Sequence, residues 1–168
     1  WNLGDGTFRE DDGSAGLNLM TNGMGLGAGD LNRDGTPDFV IPAWDRVVVS
    51  VSTSLGTWFQ ADHALGVVHD PAADRRVSWG GLLEDFDHDG DLDAFVTFGH
   101  VHANPQNPTY QPDALFEQQP TGAFTQKAEA WGLADIGMGR GAVAVDLNGD
   151  GWLDIISQDK LGPAKLKV

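Results

Sequence analysis

Cysteine is absent from the 168 residues. That one absence excludes disulfide frameworks, thiolate zinc sites and cysteine nucleophiles together. Basic side chains are few: 10 Lys and Arg stand against 25 Asp and Glu, for a formal net charge of −15. Such a balance supplies neither the phosphate-neutralising surface that nucleic-acid binding requires nor attraction to an anionic membrane. No apolar run approaches the roughly 20 residues of a membrane-spanning helix. No signal-like stretch is present, and Trp1 opens in mid-pattern, so the sequence reads as a mature or trimmed piece. The motifs G-x-S-x-G, H-E-x-x-H and G-x-x-x-x-G-K-[ST] are missing, and Gly23-Met24-Gly25-Leu26-Gly27 matches glycine-rich fingerprints in composition only. No N-x-[ST] acceptor occurs either.

Acid-rich composition can mean disorder, but here 40% of residues are hydrophobic, with 6 Trp and 8 Phe to build a core. The length suits a single domain. Short β-prone runs such as Val47-Val48-Val49-Ser50-Val51-Ser52 and Ala114-Leu115-Phe116-Glu117 are bounded by Gly, Pro, Asn and Asp clusters, which predicts strands. The 23 glycines disfavour helix, and only residues 125–131 read as a helical turn.

A repeat organises the chain. Asp30-Leu31-Asn32-Arg33-Asp34-Gly35-Thr36-Pro37-Asp38, Asp85-Phe86-Asp87-His88-Asp89-Gly90-Asp91-Leu92-Asp93 and Asp146-Leu147-Asn148-Gly149-Asp150-Gly151-Trp152-Leu153-Asp154 all fit D-x-[DN]-x-D-G-x-x-D. A glycine lies five residues before each (Gly25, Gly80, Gly141), and apolar residues follow each. Upstream, an aromatic and a second turn recur: Phe8 before Gly16-Leu17, Phe59 before Ala64-Leu65, and Phe124 before Gly132-Leu133. Three units of one design result, approximately 1–46, 47–112 and 113–168.

The loops suit a hard divalent cation. Calcium takes 6–8 oxygens, and alternate residues of a tight loop can aim side chains inward from positions 1, 3 and 5, with a carbonyl from position 7 and a closing carboxylate at position 9. The first site then uses Asp30, Asn32, Asp34 and Asp38 with the Thr36 carbonyl. The second uses Asp85, Asp87, Asp89 and Asp93 with the carbonyl of Asp91, and the third Asp146, Asn148, Asp150 and Asp154 with that of Trp152. Three Ca²⁺ sites are expected. The competing reading, Asp/Asn/Gly turns without metal, leaves unexplained why carboxylates that repel one another recur in register. An EF-hand is excluded, because position 12 is Ile41, Val96 or Ser157 where that loop needs Glu.

Asn2-Leu3-Gly4-Asp5-Gly6-Thr7-Phe8, the downstream Gly16-Leu17 and the loop from Asp30 to Asp38 resemble the VCBS/FG-GAP repeat, the blade unit of integrin-α-type β-propellers. The second and third copies depart from it before their aromatics, at Leu55-Gly56-Thr57-Trp58-Phe59 and Pro120-Thr121-Gly122-Ala123-Phe124. The resemblance implies four-stranded blades with calcium loops and an extracellular or cell-surface setting. The fold expected is therefore all-β: three propeller-type blades of four antiparallel strands, too few for an ordinary closed ring. The ends look complementary. Residues 164–168 followed by residues 1–8 would reconstitute the element that contains Phe116 and Phe124, with Val168 aligned to Phe116 and Val51.

Three completions compete: a longer propeller, a tail that closes on its own head, or a tail that completes the head of another copy. A non-enzymatic structural or adhesive module assembling head to tail is the leading reading. The alternatives are a protein- or glycan-binding fragment of a larger surface propeller, or the non-catalytic propeller of a secreted carbohydrate-active enzyme. His100 and His102 suit a loop pair better than metal ligands on a strand. The Pro- and Asn-rich insertion at 103–112 reads as a solvated loop, and Trp44 and Trp152 are the tryptophans expected to be exposed.

Overall fold

The apolar run that follows each loop's last aspartate forms a strand, and each of these strands sits second in an antiparallel sheet. The computed structural model describes residues 1–11, 13–54, 56–67, 76–102 and 109–167. Blade 1 is β1 (Gly27–Gly29), β2 (Asp38–Pro42), β3 (Val47–Ser54) and β4 (Thr57–Gln60), in that spatial order, followed by the short helix α1 (Asp62–Leu65). Blade 2 is β5 (Ser78–Glu84), β6 (Asp93–Phe98), β8 (Ala114–Gln118) and β9 (Phe124–Gln126). Between β6 and β8 the chain forms β7 (Gln111–Pro112), which pairs with β10 (Ile136–Gly137). Blade 3 holds β11 (Gly139–Val145), β12 (Asp154–Asp159) and β13 (Ala164–Lys167), three strands among the described residues where the repeat predicts four. Among the described residues the sheets do not close into a ring.

Two expectations need correction. Of the expected helical turn at 125–131, residues 125 and 126 belong instead to β9, which pairs with β8, and the turn itself is kept at the end of the span, where Trp131 N–H donates to the Lys127 carbonyl (3.1 Å). The outer-strand aromatic of blade 1 is Trp58 and not Phe59. Phe39 pairs with Ser50 and Ala94 with Phe116, so Ser50 and Phe116 share one position; their partners Gln60 and Gln126 then place Trp58 level with Phe124. Trp58 and Phe124 are both buried, whereas Phe59 is half exposed. The same register sets Lys167, opposite Ile155, at the position of Phe116. Val168 lies outside the described residues.

The blades stack through two apolar layers. Val40, Val47, Val49 and Val51 of blade 1 meet Leu83, Val96, Phe116 and Phe124 of blade 2, and Phe95 and Leu115 of blade 2 meet Ile155 of blade 3. Strand β6, covered on both faces, is buried at every residue, whereas β11 alternates buried or half-buried with exposed. Close stacking requires glycine on the inner strands. A Cβ on Gly25 would collide with the Trp79 carbonyl, and one on Gly80 would lie 2.9 Å from the Arg140 carbonyl. The sheets of blades 1 and 2 each straddle two repeat units, since blade 1 takes β1 and β2 from the first and β3 and β4 from the second, and blade 2 takes β5 and β6 from the second and β8 and β9 from the third.

Candidate metal centres

Each loop bridges the first two strands of its blade and is wound by its own side chains. Position 1 accepts backbone N–H groups from across the turn: Gly35 to Asp30 Oδ2 (2.9 Å), Gly90 to Asp85 Oδ2 (3.0 Å) and Gly151 to Asp146 Oδ2 (2.9 Å). Position 3 accepts from position 5, at 3.0 Å for Asn32, 3.1 Å for Asp87 and 2.9 Å for Asn148. Position 5 accepts from position 7, at 2.8 Å for Asp34, 2.8 Å for Asp89 and 2.9 Å for Asp150. These side-chain turns leave the oxygens of positions 1, 3 and 5 on the inside of one curve.

The second loop carries the densest charge. One carboxylate oxygen each from Asp85, Asp87 and Asp89 lies within 4.8 Å of the others. Asp85 Oδ1 is buried and accepts no hydrogen bond. Burial, with the like charges of Asp89 and Asp85, raises the Asp87 carboxyl above its ordinary range. Three clustered carboxylates, one of them with a buried oxygen that accepts no hydrogen bond, are the oxygen donors a hard cation takes, so calcium fits here. The first and third loops carry Asn at position 3 and feel less repulsion. The Ser52 hydroxyl lowers Asp34, and the Gly151 N–H is the foremost of several backbone donors that lower Asp146.

Position 9 is a buried strut. Asp38 accepts from Leu31 N–H (2.7 Å) at the start of its loop and from Ser52 N–H (2.6 Å) on the third strand. Asp93 does the same with Phe86 (3.4 Å) and Gln118 (2.9 Å). Asp154 accepts from Leu147 (2.9 Å). Burial pushes the Asp93 carboxyl up to about 7 against the pull of its two N–H donors.

Position 4 escaped the sequence reading. Arg33 (φ 57°) and His88 (φ 60°) sit in the left-handed conformation at the loop tips, where the side chain is thrown outward towards the next loop. Arg33 donates to the Gly90 carbonyl and to Asp91 Oδ1 (2.5 Å), and His88 stacks on Trp152. The three loops are thus joined in series, from position 4 of one to position 7 of the next. A signal was available in the opposite charges of Arg33 and Asp91.

Other candidates resolve as local structure. His100 and His102 lie in a bend, with His100 Nδ1 against the backbone N–H and carbonyl of His102. Trp44 and Trp152 are both exposed, as expected, Trp44 with the His100 ring against it and Trp152 stacked on His88. Of the 103–112 insertion, residues 103–108 lie outside the described residues, and Gln111–Pro112 form β7.

Residues 85–157 match the FG-GAP-like repeat family. Over 159 residues the chain is 31% identical to human cartilage acidic protein 1, covering 92% of this chain and 23% of that protein. The mouse protein of that name is 30% identical and that of Xenopus tropicalis 28%, each covered to 24%. The chain spans about a quarter of the length of these relatives. The matched stretch begins at the second loop and runs into the strand after the third, so this part of the chain is an FG-GAP-like repeat, and the same order of strand, loop and strand extends back to β1.

Proposed function

We propose that the chain is a non-enzymatic, calcium-stabilised structural or adhesive module of the extracellular space, whose copies join head to tail. The observations that carry the calcium reading are the approach of one carboxylate oxygen each from Asp85, Asp87 and Asp89 to within 4.8 Å of one another, and the buried Asp85 Oδ1 that accepts no hydrogen bond. A cation held there, and by the corresponding oxygens of the other two loops, neutralises the carboxylates and ties the first two strands of each blade, so folding is linked to calcium. Eleven of the 25 acidic residues lie in the three loops. Extracellular modules bind calcium at about 10⁻⁴–10⁻³ M, a range suited to short, exposed loops such as these. The extracellular setting is supported by the matched relatives, which are named for cartilage. Thermal melting with calcium and with chelator tests the reading: calcium raises the midpoint, and an unchanged midpoint would sink it.

A further inference from the structure

Position 7 of each loop, whose carbonyl is assigned to the cation, is held from inside by position 5. In the second loop Asp91 N–H donates to Asp89 Oδ1 (2.8 Å), and in the third Trp152 N–H donates to Asp150 Oδ1 (2.9 Å). From outside, these two residues are held by the loop before. The Gly90 carbonyl is turned out to the Arg33 guanidinium, and because the carbonyl and N–H of a trans peptide point opposite ways, the Asp91 N–H of that same peptide is turned in. Arg33 also pairs with Asp91 Oδ1 (2.5 Å). The approach is close, since a Cβ on Gly90 would lie 3.3 Å from Arg33 Nη2. Trp152 is pinned by other means: it is 51% exposed, and His88 covers one face of its ring at 4.2 Å.

Each contact needs two wound loops. Arg33 (φ 57°) and His88 (φ 60°) reach across from left-handed backbone, which residues other than glycine adopt rarely. The winding that imposes this conformation gathers the side-chain oxygens of positions 1, 3 and 5 on one curve. In the second loop it brings three carboxylates within 4.8 Å of one another, an arrangement that a cation stabilises. A cation that settles one loop therefore also places the residue that reaches the next. The third loop carries Gly149 at position 4, left-handed as well (φ 77°) but without a side chain to make such a contact.

We propose that Arg33 and His88 are positioning residues for the carbonyl that the following loop offers to calcium, and that through them the three sites fill as a coupled series. This coupling rests on the calcium reading above and adds its regulation, since occupancy of one site governs the affinity of the next. Coupling between sites is reciprocal. The second loop, tied to both neighbours, therefore gains from calcium in either and favours it in both. The two ties differ in kind. Arg33 is 62% exposed, and an ion pair at such a surface couples weakly and is screened by salt. The stack of His88 on Trp152 is an aromatic contact that salt does not screen. The second and third sites are therefore the more strongly coupled pair, and the pair whose coupling survives high salt.

Nuclear magnetic resonance reads each loop separately, because the position-6 amides of Gly35, Gly90 and Gly151 each donate to the first carboxylate of their own loop. The full chain is titrated with calcium and these three resonances are followed. In the wild type they move together, and more steeply than independent sites allow. Asparagine tolerates left-handed backbone, so His88→Asn and Arg33→Asn remove the contacts and leave the loops wound. In His88→Asn the Gly151 resonance shifts at about two- to tenfold higher calcium than in the wild type and parts from that of Gly90. His88→Tyr, which restores an aromatic face, brings the two back together. In Arg33→Asn the Gly35 resonance parts from that of Gly90 by a smaller factor, and high salt produces the same separation in the wild type. Glycines that answer calcium as independent sites in the wild type, or that stay together in both variants, would overturn the coupling and leave the calcium reading standing. Glycines that do not answer calcium at all would overturn the calcium reading and the coupling with it.

Discussion

His88 and Trp152 stack face to face, with ring centroids 4.2 Å apart and planes within 4° of parallel, and so clamp the second loop to the third. Arg33 performs the same office between the first and second by its ion pair with Asp91. An aromatic pair contributes about 0.5–1.5 kcal/mol beyond its buried area, while an exposed ion pair contributes less. His88→Ala is therefore expected to lower the melting midpoint by about 2–4 °C in calcium, and Arg33→Ala by less. His88→Ala also makes calcium occupancy of the second and third loops more independent, read as a broader calorimetric titration; a wild-type profile would show the stacking to be incidental.

The strut at position 9 and the cage at position 3 predict opposite responses in chelator. Asp38→Ala strips two buried backbone N–H groups, those of Leu31 and Ser52, of their acceptor, each loss worth about 1–3 kcal/mol. Asp87→Asn removes a charge that Asp85 and Asp89 already disfavour. Without calcium the first variant melts well below wild type and the second at or above it. With calcium, Asp87→Asn falls behind because a ligand charge is gone. Differential scanning calorimetry in the two buffers checks both, and a destabilised Asp87→Asn in chelator would contradict the repulsion argument.

How far these elements were legible depends on whether their cause is local. The loops were, because carboxylates at positions 1, 5 and 9 and an Asn or Asp at position 3 around a glycine specify their own turns, as the hydrogen bonds to Asp30 and Asp85 bear out. The strands after Asp38, Asp93 and Asp154 were legible for the same reason. Trp58 was not, because matching Phe59 to Phe124 follows residue type, whereas the pairing follows the left-handed Gly56 and Gly122. Residues 125 and 126 are drawn into the sheet by their pairing with β8, while the helical turn legible in the sequence closes after them, from Lys127 to Trp131. The contacts of Arg33 and His88 exist only once the blades are stacked, since each joins residues more than fifty positions apart.

Asp113 contributes a pH dependence of stability from outside the three loops. It lies outside the three loops, is buried, and accepts a 2.9 Å hydrogen bond from Phe98 N–H. Burial pushes its carboxyl up to about 7, with Lys165 pulling down and Asp159 and Asp135 adding to the rise. The folded state therefore holds this proton more tightly than the unfolded state does. Stability falls as pH rises from about 4, where the unfolded carboxyl titrates, to about 7, where the folded one does, and this contribution is flat above that. Asp113→Asn keeps an acceptor for Phe98 and carries no charge to desolvate. In calcium, which masks the similar contribution of Asp93, urea midpoints of the variant should exceed wild type at pH 8 and converge with it near pH 4. A variant less stable than wild type at pH 8 would mean that the ionised Asp113 is held by its surroundings and is a stabilising group.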